Sequence, residues 1–275
     1  MGVLRACYAL AGVVGPNLGA QLQERAGYPG LFLSTAVFFL MFGALVAVFV
    51  AFRPRAPVAP PSKDGEPGVT TARASRASAW GLTQPGVLAH ALAFGLMFAA
   101  FTLNALNLPL FLTQALGETE RVVGAAFAIS PLFEMLFMVG FGHIAARGHQ
   151  RRVILLGTSA AVLYFVSLRF VTAGWQVYPL QILNAAAVAV VTSVAIPFFQ
   201  DLLPRQAGIA TALYSNALKV GGLVGFMTFG LLASRVGNAG LFLVCAALGV
   251  MTVALLGLSP RRLSESAPLP KKVSV

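Results

Sequence analysis

Apolar runs of about 20 residues recur along the whole chain, and they constrain its fold more than any other feature. A helix needs roughly this length to cross a hydrocarbon core of about 30 Å at 1.5 Å per residue. Hydrophobic residues make up 58% of the chain and charged residues only 10%, so a soluble domain could not bury this much apolar surface. Because lipid offers backbone groups no hydrogen-bond partner, each run is predicted to be a helix. The eight runs are residues 3–22, 30–52, 86–115, 121–144, 153–172, 177–203, 207–233 and 239–258.

The basic residues fall mostly on one side of the membrane when the eight runs are threaded alternately across it. Among the 19 Lys and Arg residues, Lys219 lies within a run. The residues that fall on the opposite side are Arg25, Arg121, Arg169 and Arg235. Under the positive-inside rule, both termini are predicted to be cytoplasmic. The net charge of +11 is therefore interpreted as an orientation signal, and no nucleic-acid partner is predicted.

A polar stretch rich in proline divides the chain at residues 53–85. This composition cannot bury a core and is typical of a flexible linker. It separates a unit of two runs, residues 1–52, from a unit of six runs, residues 86–258. A cytoplasmic tail is predicted at residues 259–275.

The first two runs resemble the last two at an offset of 210 residues. The pattern R-x-G-x-x-G-L-F-L begins at Arg25 and again at Arg235, and Gly15 aligns with Gly225. Both copies have the same orientation, as in transporters built from two parallel halves. Four runs, within residues 86–203, precede the second copy, and none precedes the first. We therefore expect four spans to be missing before Met1.

The segment AGVVGPNLGA, residues 11–20, resembles the antiporter motif g-x-x-x-G-P-x-x-G-G of the major facilitator superfamily. Gly15, Pro16 and Gly19 match the motif, and Ala replaces its first and last glycines. Two glycines four residues apart allow a close helix approach, and Pro16 removes a backbone hydrogen bond and bends the helix. A generic tight helix pair would use the same residues. The resemblance implies an all-α polytopic membrane protein, a truncated major facilitator fold with eight transmembrane helices, and export by exchange.

The segment GHIAARGHQRR, residues 142–152, resembles the short basic loop of the same superfamily. The matching residues are Gly142, Arg147, Arg151 and Arg152. Ala146 stands where an Asp is usual, which puts a charge-relay role of that Asp in doubt. An alternative is that these arginines only fix the topology and contact anionic lipid.

Three further segments resemble the sugar efflux transporters within this superfamily. They are NLPLF at residues 107–111, QILNA at residues 181–185, and FQDLLPRQAGIATALY at residues 199–214, which contains Asp201. The resemblance implies proton-coupled export of small sugars or glycosides across the bacterial cytoplasmic (inner) membrane. No cofactor and no metal are expected.

Two ionisable residues lie about 20 Å from the start of their runs, near the middle of the bilayer. They are Glu134 and Lys219. Ionisable residues at this depth are costly and mark a functional site by default. A carboxyl group in apolar surroundings can bind and release a proton, so Glu134 is the candidate proton carrier and Lys219 its partner. A structural ion bridge between the two helices is the alternative.

Four amides are the candidate sugar ligands. Asn104 and Asn107 share one helix face, as do Gln181 and Asn184, because each pair is spaced by three residues. Carboxamides offer hydroxyl groups both donors and acceptors, and the resemblance implies that both helices line the transport cavity. The alternative is that these amides only hold helices together.

Two other functions remain open. A multidrug proton antiporter would share the motif at Gly15, Pro16 and Gly19. A truncated product, or a fragment that needs a partner chain, would transport nothing by itself. An enzyme is not predicted, because the chain has no H-E-x-x-H, G-x-S-x-G or G-x-x-x-x-G-K-[ST] motif.

Overall fold

The computed structural model describes residues 2–51, 85–204 and 206–259, which are almost entirely helical. The α-helices are α1 (Gly2–Ala51), α2 (Pro85–Leu110), α3 (Glu120–Ile144), α4 (Gln150–Leu168), α5 (Val177–Ser193), α6 (Ala195–Leu202) and α7 (Ala207–Leu258). Single π-helical turns follow α2 at Phe111–Ala115 and α3 at Ala145–His149, and a 3-10 turn, Gly174–Gln176, precedes α5. Apart from Pro85 and Ser259, the predicted linker and tail lie outside the described residues.

Five helical stretches in the described part of the chain are long and apolar enough to cross a membrane. They are fewer than the eight predicted runs because neighbouring runs are joined. In α1 the joint is Gly27 (φ 64°, ψ −176°), and in α7 it is Gly237 (φ 66°, ψ 173°). These backbone angles are essentially restricted to glycine. The predicted all-α membrane class is confirmed.

The prediction of a loop at residues 142–152 is wrong about the local structure. Helix α3 continues to Ile144, one π-helical turn follows, and α4 begins at Gln150. Gly148 interrupts the helix, because its φ of 87° is not helical. This value favours glycine, since a residue with a Cβ would be strained there. The connection is therefore a sharp bend between two helices.

The run predicted at residues 177–203 is interrupted at Val194, between α5 and α6. Pro197 has no N–H to donate to the carbonyl of Ser193, four residues earlier, so one helical hydrogen bond cannot form. On the same turn, the Ser193 hydroxyl donates to the carbonyl oxygen of Ala189 over 2.5 Å. The break follows from the position of this proline.

The core lies between α2, α4, α5 and α7. Helix α2 packs along α7, α4 packs against α5 and α7, and α3 contacts α5 and α1. The approach of α2 to α7 is so close that a Cβ added at Gly225 would lie 2.7 Å from the carbonyl oxygen of Ala99. The bulkiest fully buried side chains are Tyr164, Phe94, Phe165, Phe199 and Phe242. In contrast, none of the α1 side chains that the structure describes is buried.

Candidate functional site

The hydroxyl of Tyr164, on α4, lies at the centre of a polar network inside the apolar bundle. Nδ2 of Asn104, on α2, donates to this hydroxyl over 3.3 Å, and Nε2 of Gln181, on α5, donates to it over 3.4 Å. All three side chains are buried. Tyr164 therefore connects three helices through one oxygen atom.

Asn184 extends the network to α3. Its Nδ2 donates to Oε1 of Gln181 over 3.0 Å and to Oγ of Ser130 over 3.1 Å. Asn184 is half-buried, whereas the other four side chains are buried, so it forms the edge of the network. We call these five residues the amide network: Asn104, Ser130, Tyr164, Gln181 and Asn184. The structure thus brings together three of the four predicted sugar ligands.

Two carbonyl oxygens of the amide network have no hydrogen-bond partner in the described part of the chain. They are Oδ1 of Asn104 and Oδ1 of Asn184, and both atoms are buried. An unpaired buried carbonyl costs roughly 1–3 kcal/mol. A ligand hydroxyl that donated to either oxygen would remove this cost, so the network can accept hydrogen bonds from a polyhydroxy ligand.

Asn107, the fourth predicted ligand, lies outside the amide network. Its Nδ2 donates to the backbone oxygen of Asn238 over 2.8 Å, next to the Gly237 bend of α7. Its Oδ1 is buried and has no partner within the described ranges. The observed bond attaches α2 to the bend in α7, and its role as a sugar ligand remains a prediction.

Glu134 lies on α3, one turn after Ser130, and its carboxylate meets Thr192 of α5. Oγ1 of Thr192 is 3.2 Å from Oε1 of Glu134 and 2.9 Å from the backbone oxygen of Val188. A hydroxyl carries one hydrogen and can also accept one. It can donate to an ionised Glu134, or donate to Val188 and accept from a protonated Glu134. Thr192 therefore accommodates both protonation states of the carboxyl group.

Lys219 makes no ion pair with Glu134 in this structure. Its side chain is exposed on α7. Within residues 2–51, 85–204 and 206–259, the one ion pair joins Nε of Arg121 to Oε2 of Glu24 over 2.8 Å. The partnership of Lys219 with Glu134 therefore remains a prediction without an observed contact.

Among the residues of the basic segment that match the superfamily, Arg151 has a defined structural contact. Its Nη2 donates to the backbone oxygens of Leu256, Gly257 and Ser259 over 2.7, 2.9 and 2.8 Å. The last turn of a helix leaves its carbonyls unpaired, and a cation is favoured there. Arg151 thus fixes α4 to the end of α7. The other members of the segment do not share this contact: Gly142 lies within α3, and Arg147 and Arg152 are exposed.

Polar contacts hold the turn between α6 and α7 and explain the polar segment at residues 199–214. Oδ2 of Asp201 accepts from Nε2 of Gln150 over 2.8 Å, which joins the end of α6 to the start of α4. Nε2 of Gln200 donates to Oγ1 of Thr211 over 3.2 Å, which joins α6 to α7. Asp201 therefore has a structural contact, on a helix that carries no member of the amide network.

The glycines of the antiporter-like motif lie on an uncovered surface of α1. A Cβ added at Gly15 or Gly19 would have no other atom within 4 Å. Helix α1 continues through Pro16, whose side chain lies outside the described residues, and its residue with non-helical backbone angles is Gly27. The close helix approach predicted for this motif is not made by any helix that the structure describes.

Sequence reasoning missed Tyr164, Ser130 and Thr192. Tyr164 lies about 16 Å from the start of its predicted run, so the depth rule that selected Glu134 could have found it. Ser and Thr are ordinary within helices, where they can bond to their own backbone, as Thr192 does. No sequence signal distinguishes Ser130 and Thr192 from such residues.

Comparison with known proteins places this chain in a family. The model of the Major Facilitator Superfamily matches residues 90–274. The chain is 27% identical over 231 residues to sugar efflux transporter A of Dickeya chrysanthemi, covering 84% of this chain and 56% of the relative. It is 26% identical over 253 residues to sugar efflux transporter A of Escherichia coli (strain K12), covering 92% and 62%. It is 29% identical over 223 residues to sugar efflux transporter B of Salmonella typhimurium (strain LT2), covering 81% and 53%.

The chain therefore spans between 53% and 62% of the length of these curated relatives. The predicted resemblance to the sugar efflux transporters is confirmed. The prediction of a multi-pass membrane transporter family, rather than an enzyme family, is also confirmed. Since the family model matches more than half of its residues, the chain belongs to the Major Facilitator Superfamily.

Proposed function

We propose that this protein exports small sugars or glycosides across the bacterial cytoplasmic membrane in exchange for protons, by alternating access. The observation that carries the proposal is the amide network, which places neutral amides and hydroxyls within the bundle and leaves two buried carbonyl oxygens open. Such groups match the hydroxyls of a sugar. The names of the curated relatives support the same substrate class.

The lengths of α1 and α7 support eight membrane crossings. These helices have 50 and 52 residues, so each would be about 75 Å long if straight. That length is more than twice the hydrocarbon core of about 30 Å. Each helix therefore crosses twice and turns at its glycine bend, Gly27 or Gly237. With α2, α3, α4 and the α5–α6 pair, the chain crosses eight times, and the basic residues orient both termini to the cytoplasm.

Sugar binding and proton binding act on the same pair of helices. The contact of Ser130 with Asn184 and the contact of Glu134 with Thr192 both join α3 to α5. The spacing is one turn on α3 and two turns on α5, so the two contacts lie one above the other on facing surfaces. A sugar hydroxyl that displaces the first contact, and a proton that alters the second, both change how α3 and α5 meet.

Counterflow of labelled lactose in proteoliposomes tests the substrate class. We expect unlabelled lactose and methyl glucosides to compete, and Asn184→Leu to lower uptake by about tenfold or more because two hydrogen bonds and an acceptor are lost. The matched control is Gln114→Leu, which removes an exposed amide beyond the end of α2 and should leave uptake unchanged. If a lipophilic cation is transported and no sugar competes, the protein is a drug antiporter, the function that the motif at Gly15 and Gly19 also indicates. If neither is transported, the chain does not act alone.

Glu134→Gln tests the proton carrier. The variant keeps the side-chain shape but cannot ionise, so we expect it to retain lactose counterflow and to lose export driven by a pH gradient. Glu120→Gln, in the first turn of the same helix, is the control and should keep both activities. Gradient-driven export that is unchanged in Glu134→Gln would contradict the assignment.

A further inference from the structure

A cavity of about 490 Å³ lies where α4 begins and α7 ends. Gly148, at the bend between α3 and α4, and Gly257, in the last turn of α7, both line it. A Cβ added at either glycine would find no neighbouring group within 4 Å among the described residues, so the space beside them is open. The polar side chains that line the cavity are those of His149, Arg151 and Arg152. We call this space the basic cavity.

No carboxylate of the described residues lines the basic cavity. Asp201 lies beside it, where it accepts a hydrogen bond from Nε2 of Gln150, but it is not part of the lining. Within the described ranges, the one ion pair lies between α1 and the start of α3, so no described carboxylate is paired with Arg151 or Arg152. The positive charge of the cavity is therefore open to an anionic ligand.

Arg151 is held in position by the protein itself. Its Nη2 is bound to three backbone oxygens at the end of α7. A guanidinium group has further N–H donors on Nε and Nη1, and its geometry suits the oxygens of a phosphate group. Arg152, the next residue, is exposed. One fixed guanidinium group and one exposed guanidinium group can thus hold the same phosphate.

The basic cavity also has an apolar side, which favours a lipid over a soluble anion. Leu155, one turn after Arg151 on the same face of α4, belongs to the lining, and Leu156 beside it is 69% exposed. The two arginines precede the apolar run that begins at residue 153, and Leu155 lies about 6 Å further along the helix. A phospholipid has the same order, because its phosphate is followed by apolar chains.

We propose that the basic cavity binds the headgroup phosphate of an anionic phospholipid in the cytoplasmic leaflet. Arg151 and Arg152 are the phosphate ligands, and Leu155 contacts the start of an acyl chain. Basic pockets beside transmembrane helices on the cytoplasmic side are suited to such headgroups. The bound lipid stabilises the joint between α4 and α7. This role does not depend on which substrate the protein transports.

Short-chain lipids that differ in net charge provide the first test. The delipidated chain in a neutral detergent is titrated, at constant ionic strength, with dihexanoylphosphatidylglycerol, dihexanoylphosphatidylcholine or inorganic phosphate, and binding is measured as protection against thermal unfolding. We expect the phosphatidylglycerol to protect at concentrations about tenfold lower than the phosphatidylcholine, and inorganic phosphate not to protect at those concentrations. Equal protection by the two lipids would overturn the inference. Equal protection by inorganic phosphate would identify a site for a soluble anion and would also overturn it.

Two arginines of the same segment give a matched pair of variants. Arg152→Gln removes one phosphate ligand and leaves the contacts of Arg151 with α7 intact, so the phosphatidylglycerol concentration needed for half-maximal protection should rise about tenfold. Arg147→Gln removes the same charge at an exposed position outside the lining and should leave it unchanged. An equal loss in both variants would mean that the segment attracts anionic lipid only through its overall charge.

Filling the basic cavity tests its location without a change of charge. Gly257→Leu places a side chain in the open space and keeps the carbonyl oxygen that Arg151 binds, so we expect protection by phosphatidylglycerol to weaken about tenfold or more. Gly230→Leu adds the same side chain at an exposed, uncrowded position of α7 and is the control. Unchanged protection in Gly257→Leu would show that the lipid binds elsewhere.

Discussion

The two copies of the internal repeat have the same bend but different surroundings. Gly27 in α1 and Gly237 in α7 occupy equivalent positions and have nearly identical backbone angles, φ 64° and 66°. The glycine three positions after each bend is also crowded in the same way. A Cβ added at Gly30 would contact Ala26. A Cβ added at Gly240 would contact Val236, which is the repeat counterpart of Ala26. The bend is therefore specified locally by the shared sequence.

Burial of the two copies differs completely. Helix α7 has buried residues along its length, including Gly225 and Phe242, whereas no described side chain of α1 is buried. The equivalent glycines show the difference most clearly, because Gly225 is pressed against α2 and Gly15 has open space around it. Local sequence sets the shape of a helix pair, and the neighbouring helix α2 decides which of its faces becomes part of the core.

The largest change in the free energy of unfolding is expected at the two equivalent glycines, Gly225 and Gly15. In Gly225→Ala the new Cβ would lie 2.7 Å from the carbonyl oxygen of Ala99 and 2.8 Å from Cβ of Thr102, so α7 must move away from α2. Overpacking of this kind costs about 3 kcal/mol. Gly15→Ala meets no atom and should stabilise its helix by about 0.5–1 kcal/mol. Unfolding in mixed micelles with increasing SDS, followed by circular dichroism, measures both free energies; equal effects would mean that the packing difference is not real.

Substitution of the two bend glycines should have a smaller effect on stability. Gly27→Ala and Gly237→Ala should each cost about 1–3 kcal/mol, because the positive φ at both sites strains a residue with a Cβ. Hydrogen exchange of the residues flanking each bend reports the local free energy of opening. Gly43→Ala, within the regular part of α1 and without a neighbour within 4 Å, is the control and should not weaken exchange protection. A cost at Gly237 several times that at Gly27 would show that neighbours, and not local sequence, impose the bend.

The helices could be predicted from sequence because apolar runs of membrane length have few alternative structures. Their joints were harder to predict. The first two predicted runs end at residue 22 and begin again at residue 30. A single glycine between them, Gly27, makes the turn while the helix continues on both sides. The break at Val194 depends on Pro197, and a proline within a helix is tolerated or breaks it according to what replaces the lost hydrogen bond.

The candidate site could be predicted only in part, for a different reason. Amides within apolar runs, such as Asn104 and Gln181, are rare enough to be selected by residue type and by their spacing on one helix face. That both donate to Tyr164 depends on how α2, α4 and α5 pack, which pattern and spacing within one helix do not determine. The same limit applies to Thr192, whose contact with Glu134 joins residues that are 58 positions apart.

The smallest change in stability is expected at the ion pair that joins α1 to α3. Glu24 of α1 and Arg121 of α3 are 2.8 Å apart, and α1 also packs against α3. Both residues are exposed, so their coupling energy should be about 0.2–1 kcal/mol and should decrease as salt screens it. A double-mutant cycle with Glu24→Gln, Arg121→Gln and the pair, measured by hydrogen exchange of α1 at low and high salt, gives this energy. The exchanged pair Glu24→Arg with Arg121→Glu should restore it. A coupling well above 1 kcal/mol would mean that this contact, and not the apolar surface shared with α3, holds α1 in place.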